Sequence, residues 1–340
     1  MLGRVTTGAA PDAAGVVAAF GLPGSPTMMT EVRGGWSNRV WHLSTTRGDY
    51  AVKELRNAWG EPRWREWLDE GWRVERAAIH AGVAAPEPVP AAATGGVVGY
   101  VGRTDASGAA PVRLHRWVEA SPVPREPVDL DLARWVGRTL AGVHALRLRP
   151  VQADLYPGRA GLTRFEVWPD LVERSFAARA PWTAALAAGE PAARRASGLL
   201  VPWDPADEVL CHGDIDQQNL LRAVGGPVLC DWDVVLPRLP AHDLAEAALS
   251  MASWRSAGAA SAVLDGYRDA GGEVGALEPA DLAPSLAARL GWIRFSVDRA
   301  LQARLAGVPA PDGPDIAALV ADLEHRLAVA TSAQDWLGRG

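Results

Sequence analysis

The spacing of apolar and polar positions changes along the chain, and each change marks an element. Val16, Val17 and Phe20 share one face of a short helix that Pro11 and Asp12 would start and Gly21 would end. From 27 to 55 the period is two. Residues 27–32 lead into Gly34-Gly35, residues 40–44 alternate, Arg47-Gly48-Asp49 turns the chain, and 50–55 make a third strand. Over 63–81 the spacing becomes helical, with Trp64, Trp67, Leu68, Trp72 and Ile79 as the stripe expected to be buried, and Gly82 as the stop. Pro86, Pro88 and Pro90 mark a loop, and strand character returns over 97–118 around a turn at 105–108. Beyond Glu119 the pattern is chiefly helical. Residues 130–146 are strongly amphipathic, 150–205 read as broken helices rich in Trp and Pro, and 240–335 are helical again. A β-rich part followed by a helical part is the architecture this predicts.

Composition narrows the function classes. The chain has 340 residues, of which 48% are apolar and 22% charged, enough for two lobes with a real core. A net charge of −6 offers no basic field for a polyphosphate backbone, so no nucleic-acid partner is expected. Two cysteines can frame neither a disulfide scaffold nor a four-cysteine zinc site. No apolar run reaches the ~18 residues of a membrane span, so no membrane partner is expected. Pro11 and Asp12 interrupt the stretch a leader peptide needs, and the expectation is a cytoplasmic protein with reduced thiols. One count stands out: lysine and arginine total 34, and Lys53 is the one lysine. Arginine replaces lysine on surfaces but not where a compact ammonium is required, so Lys53 is a candidate site residue.

The chemistry concentrates in two short stretches. The first runs Leu210-Cys211-His212-Gly213-Asp214-Ile215-Asp216-Gln217-Gln218-Asn219, and the second is Cys230-Asp231-Trp232-Asp233. Each sets polar residues on a loop beside an apolar run, the way a rigid scaffold presents catalytic groups. Asp214, Asn219 and Asp231 offer the hard oxygen donors that Mg²⁺ and a phosphate ester demand. A carboxylate five residues before an amide can face a hydroxyl while the amide reaches a metal, the arrangement of the kinase catalytic loop. His212 and His144 read as bracing residues, and Cys211 and Cys230 as small buried hydrophobes.

With these residues in place, the sequence resembles the aminoglycoside phosphotransferase family, small-molecule kinases that share the protein-kinase fold. His212-Gly213-Asp214 with Asn219 is similar to that family's catalytic loop, Asp231-Trp232-Asp233 to its metal-binding segment, and His242-Asp243-Leu244-Ala245 to the Asp-Leu-Ala that follows. Residues 137–146, ending His144-Ala145-Leu146, resemble its Leu-His helix. The resemblance implies an α+β, bilobal, kinase-like fold, with a nucleotide-binding N-lobe at 1–117 and a C-lobe at 118–340. It implies Asp214 as base, Asn219 and Asp231 as Mg²⁺ ligands, and Lys53 as the cation on the α- and β-phosphates of ATP or GTP. Glu66, Glu70 and Glu75 compete to be the partner of Lys53, and Glu75 sits best in the pattern. Ser37 and Asn38 fall in the phosphate loop, and main-chain groups of Arg116 and Val118 would meet the purine.

The departures point away from protein kinases: Gly-x-Gly-x-x-Gly, His-Arg-Asp and Asp-Phe-Gly are absent. Position 216 is Asp, followed by Gln217 and Gln218, where many relatives carry His, Pro and Gly. Asp216 and Asp233 would suit a cationic or amine-bearing substrate. The reading is γ-phosphoryl transfer to a hydroxyl of a small molecule, an antibiotic or related metabolite. The rivals are a metabolic kinase of a sugar, amino alcohol or nucleoside, a protein kinase, and a nucleotide-binding pseudokinase.

Overall fold

Asp12 caps helix α1 (Ala13–Phe20) by accepting from the Gly15 N–H at 2.8 Å, and Gly21 closes it in the left-handed conformation. Its buried residues, Val16 and Phe20, lie against an antiparallel sheet. The computed structural model describes residues 9–32, 38–56, 60–156, 162–307 and 315–332. Strands β1 (Pro26–Val32), β2 (Arg39–Thr45) and β3 (Gly48–Glu54) form a meander. After helix α2 (Trp64–His80) come β4 (Pro88–Val89), β5 (Gly99–Gly102) and β6 (Ala109–Arg116). The sheet order is β1-β2-β3-β6-β4, with β5 also paired to β6.

Register decides what each sheet face carries. Trp41 pairs with Val52 and Val52 with Leu114, and these three, with Leu43 and Tyr50, pack into the core under α1. One residue out of step, Val40 pairs with Lys53 and Lys53 with Arg113, while Ala51 pairs with both His42 and His115. Period two therefore places two cations and two histidines on the face opposite the core.

Helix α2 forms where expected, but its buried line differs from the expected stripe. Leu68, Gly71, Val74, Glu75 and Ala78 are buried, whereas Trp64, Trp67, Trp72 and Ile79 are only half-buried. Gly71 shows why. A Cβ there would stand 2.4 Å from the Trp232 carbonyl oxygen, so this face presses against the 231–233 turn more closely than any side chain permits. The indoles flank that contact.

The second part begins with β7 (Ala120–Pro122) and α3 (Leu130–Ala145), which Asp129 caps through the Leu132 N–H at 2.9 Å. Helices α4 (Trp168–Ala177) and α5 (Thr183–Gly198) follow. Strands β8 (Val209–Cys211), β9 (Leu220–Ala223), β10 (Gly226–Leu229) and β11 (Leu236–Arg238) come next. Helices α6 (Pro240–Met251), α7 (Ala257–Asp269), α8 (Ala283–Leu305) and α9 (Ile316–Thr331) complete the chain. β7, β9 and β10 form one small sheet, and β8 pairs with β11. One hydrophobic core joins these helices and takes in Val74 and Ala78 of α2, which thus belongs to both halves. Both cysteines are unpaired. Among the described residues no helix is long and apolar enough to cross a membrane.

Candidate active site

β8 delivers the chain into the first chemical loop. Gly213, at φ +83°, has no room for a side chain: a Cβ would stand 2.4 Å from the Val234 carbonyl oxygen. His212 is fully buried. Its Nε2–H donates to the Cys230 carbonyl at 2.9 Å and its Nδ1 accepts from the Asp214 N–H at 3.4 Å. Burial pushes its pKa down, so a neutral imidazole ties the two chemical loops together. It braces them.

Asn219 orients Asp214. Its Nδ2 donates to the Asp214 carbonyl at 2.7 Å and to Asp214 Oδ2 at 3.0 Å, which turns Oδ1 of the amide the other way. Asp214 keeps a face in solvent, yet protein surrounds most of its carboxyl. That loss of water, reinforced by the charges of Asp216, Asp231 and Glu246 and opposed by the Asn219 hydrogen bond, pushes its pKa up to about 7. Gln217, which the sequence reading noted only as a departure, anchors the loop. Its Nε2 donates to the carbonyls of Ser250 at 2.6 Å and Glu126 at 3.2 Å and to Ser253 Oγ at 3.0 Å. Asp216, expected toward a substrate, caps this turn instead: it accepts from the Gln218 N–H at 2.7 Å and Gln218 Nε2 at 3.0 Å.

Opposite lies a chain of ion pairs. Lys53 Nζ is 2.7 Å from Asp231 Oδ1 and 2.6 Å from Asp233 Oδ2. Burial would lower the lysine pKa, but the two carboxylates outweigh it and raise it, so the ammonium stays charged. Asp231 adopts the left-handed conformation, φ 64° and ψ 63°. Arg113, 1% exposed, pairs with both Asp233 and Glu75. Burial opposes ionisation of Asp233, yet Lys53 and Arg113 prevail and hold its carboxyl well below the usual range.

Two expectations are corrected here. Glu75 does not pair with Lys53; its oxygens accept from Arg113 and from His115 Nε2, the latter at 3.0 Å. Of its rivals, Glu66 pairs with Arg63, and Glu70 accepts from Arg73 and from the Val151 N–H. Nor does Asp233 face a substrate, because its oxygens go to Lys53 and Arg113. The sequence offered one signal for Arg113, its period-two spacing from His115 on a strand beside Lys53, but an arginine among so many draws no notice.

At the expected hinge, the Arg116 N–H is taken by the Glu87 carbonyl at 2.8 Å, which leaves only its carbonyl for a base. Val118 lies half-buried in the 117–119 connection. Between them, Trp117 stacks on His42 with ring centroids 4.0 Å apart. Asn38 Oδ1 accepts from the Arg56 N–H at 3.1 Å, tying the start of β2 to the exit of β3. Ser37 lies outside the described residues. Behind β8, His144 bridges Asp243 Oδ2 at 3.2 Å and the Tyr267 hydroxyl at 3.0 Å, a buried strut between α3, α6 and α7.

The donor set fits a divalent cation. Asp231 and the Asn219 Oδ1 supply hard oxygens, and Asp214, which among the described residues meets an amide and no cation, adds negative charge beside them.

Comparison with known proteins bears on the family and the fold. A family model described as phosphotransferase enzyme family matches residues 29–283. The sequence matches no curated protein. The fold is similar to a spectinomycin phosphotransferase in complex with ADP and spectinomycin, at TM-score 0.56 and 14% identity, covering 89% of this chain and 94% of that one. An amicoumacin kinase in complex with AMP-PNP and Ca²⁺ matches at TM-score 0.58 and 13% identity, over 88% of this chain and 87% of that one. A choline/ethanolamine kinase family protein from Mesorhizobium loti matches at 0.53 and 18%, over 95% of each.

Proposed function

The chain belongs to the phosphotransferase enzyme family, and on that footing we propose that it moves the γ-phosphoryl of ATP or GTP to a hydroxyl of a small, amine-bearing molecule, an antibiotic or related metabolite. The observation that carries this reading is Asp214: a carboxylate held by Asn219, its pKa raised to about 7, close to the working pH of a general base. Similarity of fold to antibiotic kinases supports an antibiotic acceptor, and similarity to a choline/ethanolamine kinase family protein supports an amino alcohol as the second reading. The carboxylate of Asp214, held by an amide and by no cation among the described residues, favours a cationic group in either. A nucleoside triphosphate donor agrees with a cytoplasmic location.

Asp231 and Asn219 would hold Mg²⁺, which when bound neutralises phosphate charge. The remaining work is positioning. Lys53 exchanges its contact with Asp231 for phosphate oxygens while Asp233 retains it. Asp214 accepts hydrogen-bond contact from the acceptor hydroxyl and takes its proton at the ionised carboxylate as the oxygen attacks phosphorus. The main chain at Arg116 and Val118 would meet the base, and Ser37 and Asn38 are assigned to the phosphates by the family resemblance alone.

The test is a panel of hydroxylated antibiotics, amino alcohols, sugars and nucleosides, offered with ATP and separately with GTP. Acceptor-dependent nucleoside-diphosphate release, with an acceptor heavier by one phosphoryl group, is the expected outcome. Nucleotide binding with no turnover across the panel would favour the pseudokinase reading.

A further inference from the structure

Arg113 on β6 lies directly across from Lys53 on β3, so two cations leave one face of the sheet side by side. Their side chains are 1% and 13% exposed. Like charges opposite one another destabilise a sheet, and water cannot relieve this pair. The anion between them does. Asp233 takes Arg113 on one oxygen and Lys53 on the other, while the far side of the Arg113 fork goes to Glu75 of α2. The result is one continuous chain from α2 through Glu75, Arg113, Asp233 and Lys53 to Asp231.

We propose that Arg113 is a positioning residue of the phosphoryl-transfer site, the buried cation that locks α2 to the 231–233 turn and so leaves Lys53 available for phosphate. This rests on the functional reading above and deepens it. A planar guanidinium presents donors in a fixed fork and holds two carboxylates at a set angle. A lysine asked both to hold Glu75 and to meet phosphates would divide one ammonium between them. Here the duties are separated. Arg113 holds Glu75 and aims Asp233, and Asp233 tethers Lys53, which trades a single contact when phosphate arrives. The close approach of Gly71 to the Trp232 carbonyl belongs to the same joint, because it presses α2 onto the turn that Arg113 grips. Without Arg113, Glu75 and Asp233 would both draw on Lys53 and pull it from the phosphates. The contrast also accounts for the chain's one lysine beside one of its arginines: the fork bridges, and the compact ammonium switches partner.

The experiment compares Arg113→Lys, which keeps charge and loses the fork, and Glu75→Gln, which keeps shape and loses one charge, with the control Arg134→Lys, at a half-buried position on α3. For each, melting temperature, ADP affinity without divalent ion, and kcat and KM for ATP and acceptor are measured. Arg113→Lys should weaken ADP binding about tenfold and lower kcat on the order of 10²-fold, the scale of a ~1 Å misplacement, with acceptor KM within about twofold. Glu75→Gln should move the same quantities less, and it carries the test alone if Arg113→Lys does not fold. Lowered melting temperatures with parental ADP affinity and parental kcat in the folded fraction would overturn the proposal, leaving Arg113 a structural ion pair. A parent protein that binds no nucleotide would instead overturn the functional reading itself.

Discussion

The two chemical loops face one another with opposite electrostatic strategies. Around the 231–233 turn every carboxylate meets a cation: Asp231 and Asp233 meet Lys53, and Asp233 also meets Arg113, which reaches on to Glu75. Burial opposes ionisation there, but the pairing outweighs it, and Asp233 ionises more readily than a free carboxylate. Among the described residues the Asp214 carboxyl itself meets only the Asn219 amide, while Asp231 and Glu246 are paired with Lys53 and Arg238 and Asp216 caps its turn, and that carboxyl resists ionisation up to about pH 7. The first region spends its charge on shape. The second keeps an uncompensated charge for a ligand and a proton, at a cost to its own stability.

The most forceful way to break that contrast is to remove the strained acid. Asp214→Ala should lower kcat by about 10²–10⁴, the range for loss of general-base help, with nucleotide affinity little changed because the ion-paired region is untouched. Steady-state rates beside equilibrium nucleotide titration decide it. Turnover within a few-fold of the parent would remove Asp214 from the chemistry.

A smaller effect sharpens the other side. Lys53→Arg preserves the charge and follows the choice made elsewhere in the chain, but a longer, forked group would displace Asp231 and the phosphates, costing on the order of 10²-fold in rate. Arg134→Lys, at a half-buried position on α3 away from these loops, should be silent. Near-parental kcat and nucleotide KM for both variants would make the lysine an accident of composition.

How much of this was legible beforehand differs between the same two regions. The Asp214 loop is local: its catalytic spacing, its glycine and its amide lie within eight residues, so the sequence displays them together. The ion-pair chain is not. Glu75, Arg113 and Asp233 come from a helix, a strand and a turn more than thirty residues apart, and only sheet register sets Arg113 beside Lys53. A resemblance could supply a glutamate for the lysine, but it could not show that an arginine had taken that partner. The stripe of α2 held at Leu68 and missed elsewhere for a related reason. Hydrophobic spacing follows the indoles, whereas the most buried face holds Gly71 and Glu75, chosen for close approach and charge. Strands, turns and helices with ordinary cores, such as β1 to β3 and α3, followed their patterns closely.

The pH dependence separates the regions more finely. Only ionised Asp214 can take a proton, and below a pKa of about 7 its ionised fraction falls tenfold per unit. The kcat/KM of the free enzyme should therefore climb with pH up to about 7 and level off above it. The kcat profile should be shifted to lower pH, since a bound cation favours the charged form. A profile flat between about pH 5.5 and 8 would show that the rise in this carboxyl's pKa has no part in turnover.

The smallest effect concerns stability rather than rate. Asp214 ionises near 3.8 in an ordinary environment and near 7 in the folded chain, so the native state holds its proton more tightly than the unfolded state. Stability from this group is thus greatest at low pH and is lost as pH rises from about 4 to 7, after which the loss is complete. Asp214→Asn removes the charge while keeping the shape. Its melting temperature should match the parent near pH 4, exceed it increasingly up to pH 7, and stay ~2–4 °C higher above that, the scale of about 1 kcal/mol in a chain of a few hundred residues once solvent at this exposed carboxyl screens most of the shift. Asp233→Asn should do the opposite and melt lower at neutral pH, because it strips a paired anion from two buried cations. Thermal scans of the two variants across pH set the regions side by side. A parental melting curve for Asp214→Asn at pH 8 would mean that solvent screens the carboxylate after all, and the contrast between a strained acid and a satisfied one would reduce to the ion pairs alone.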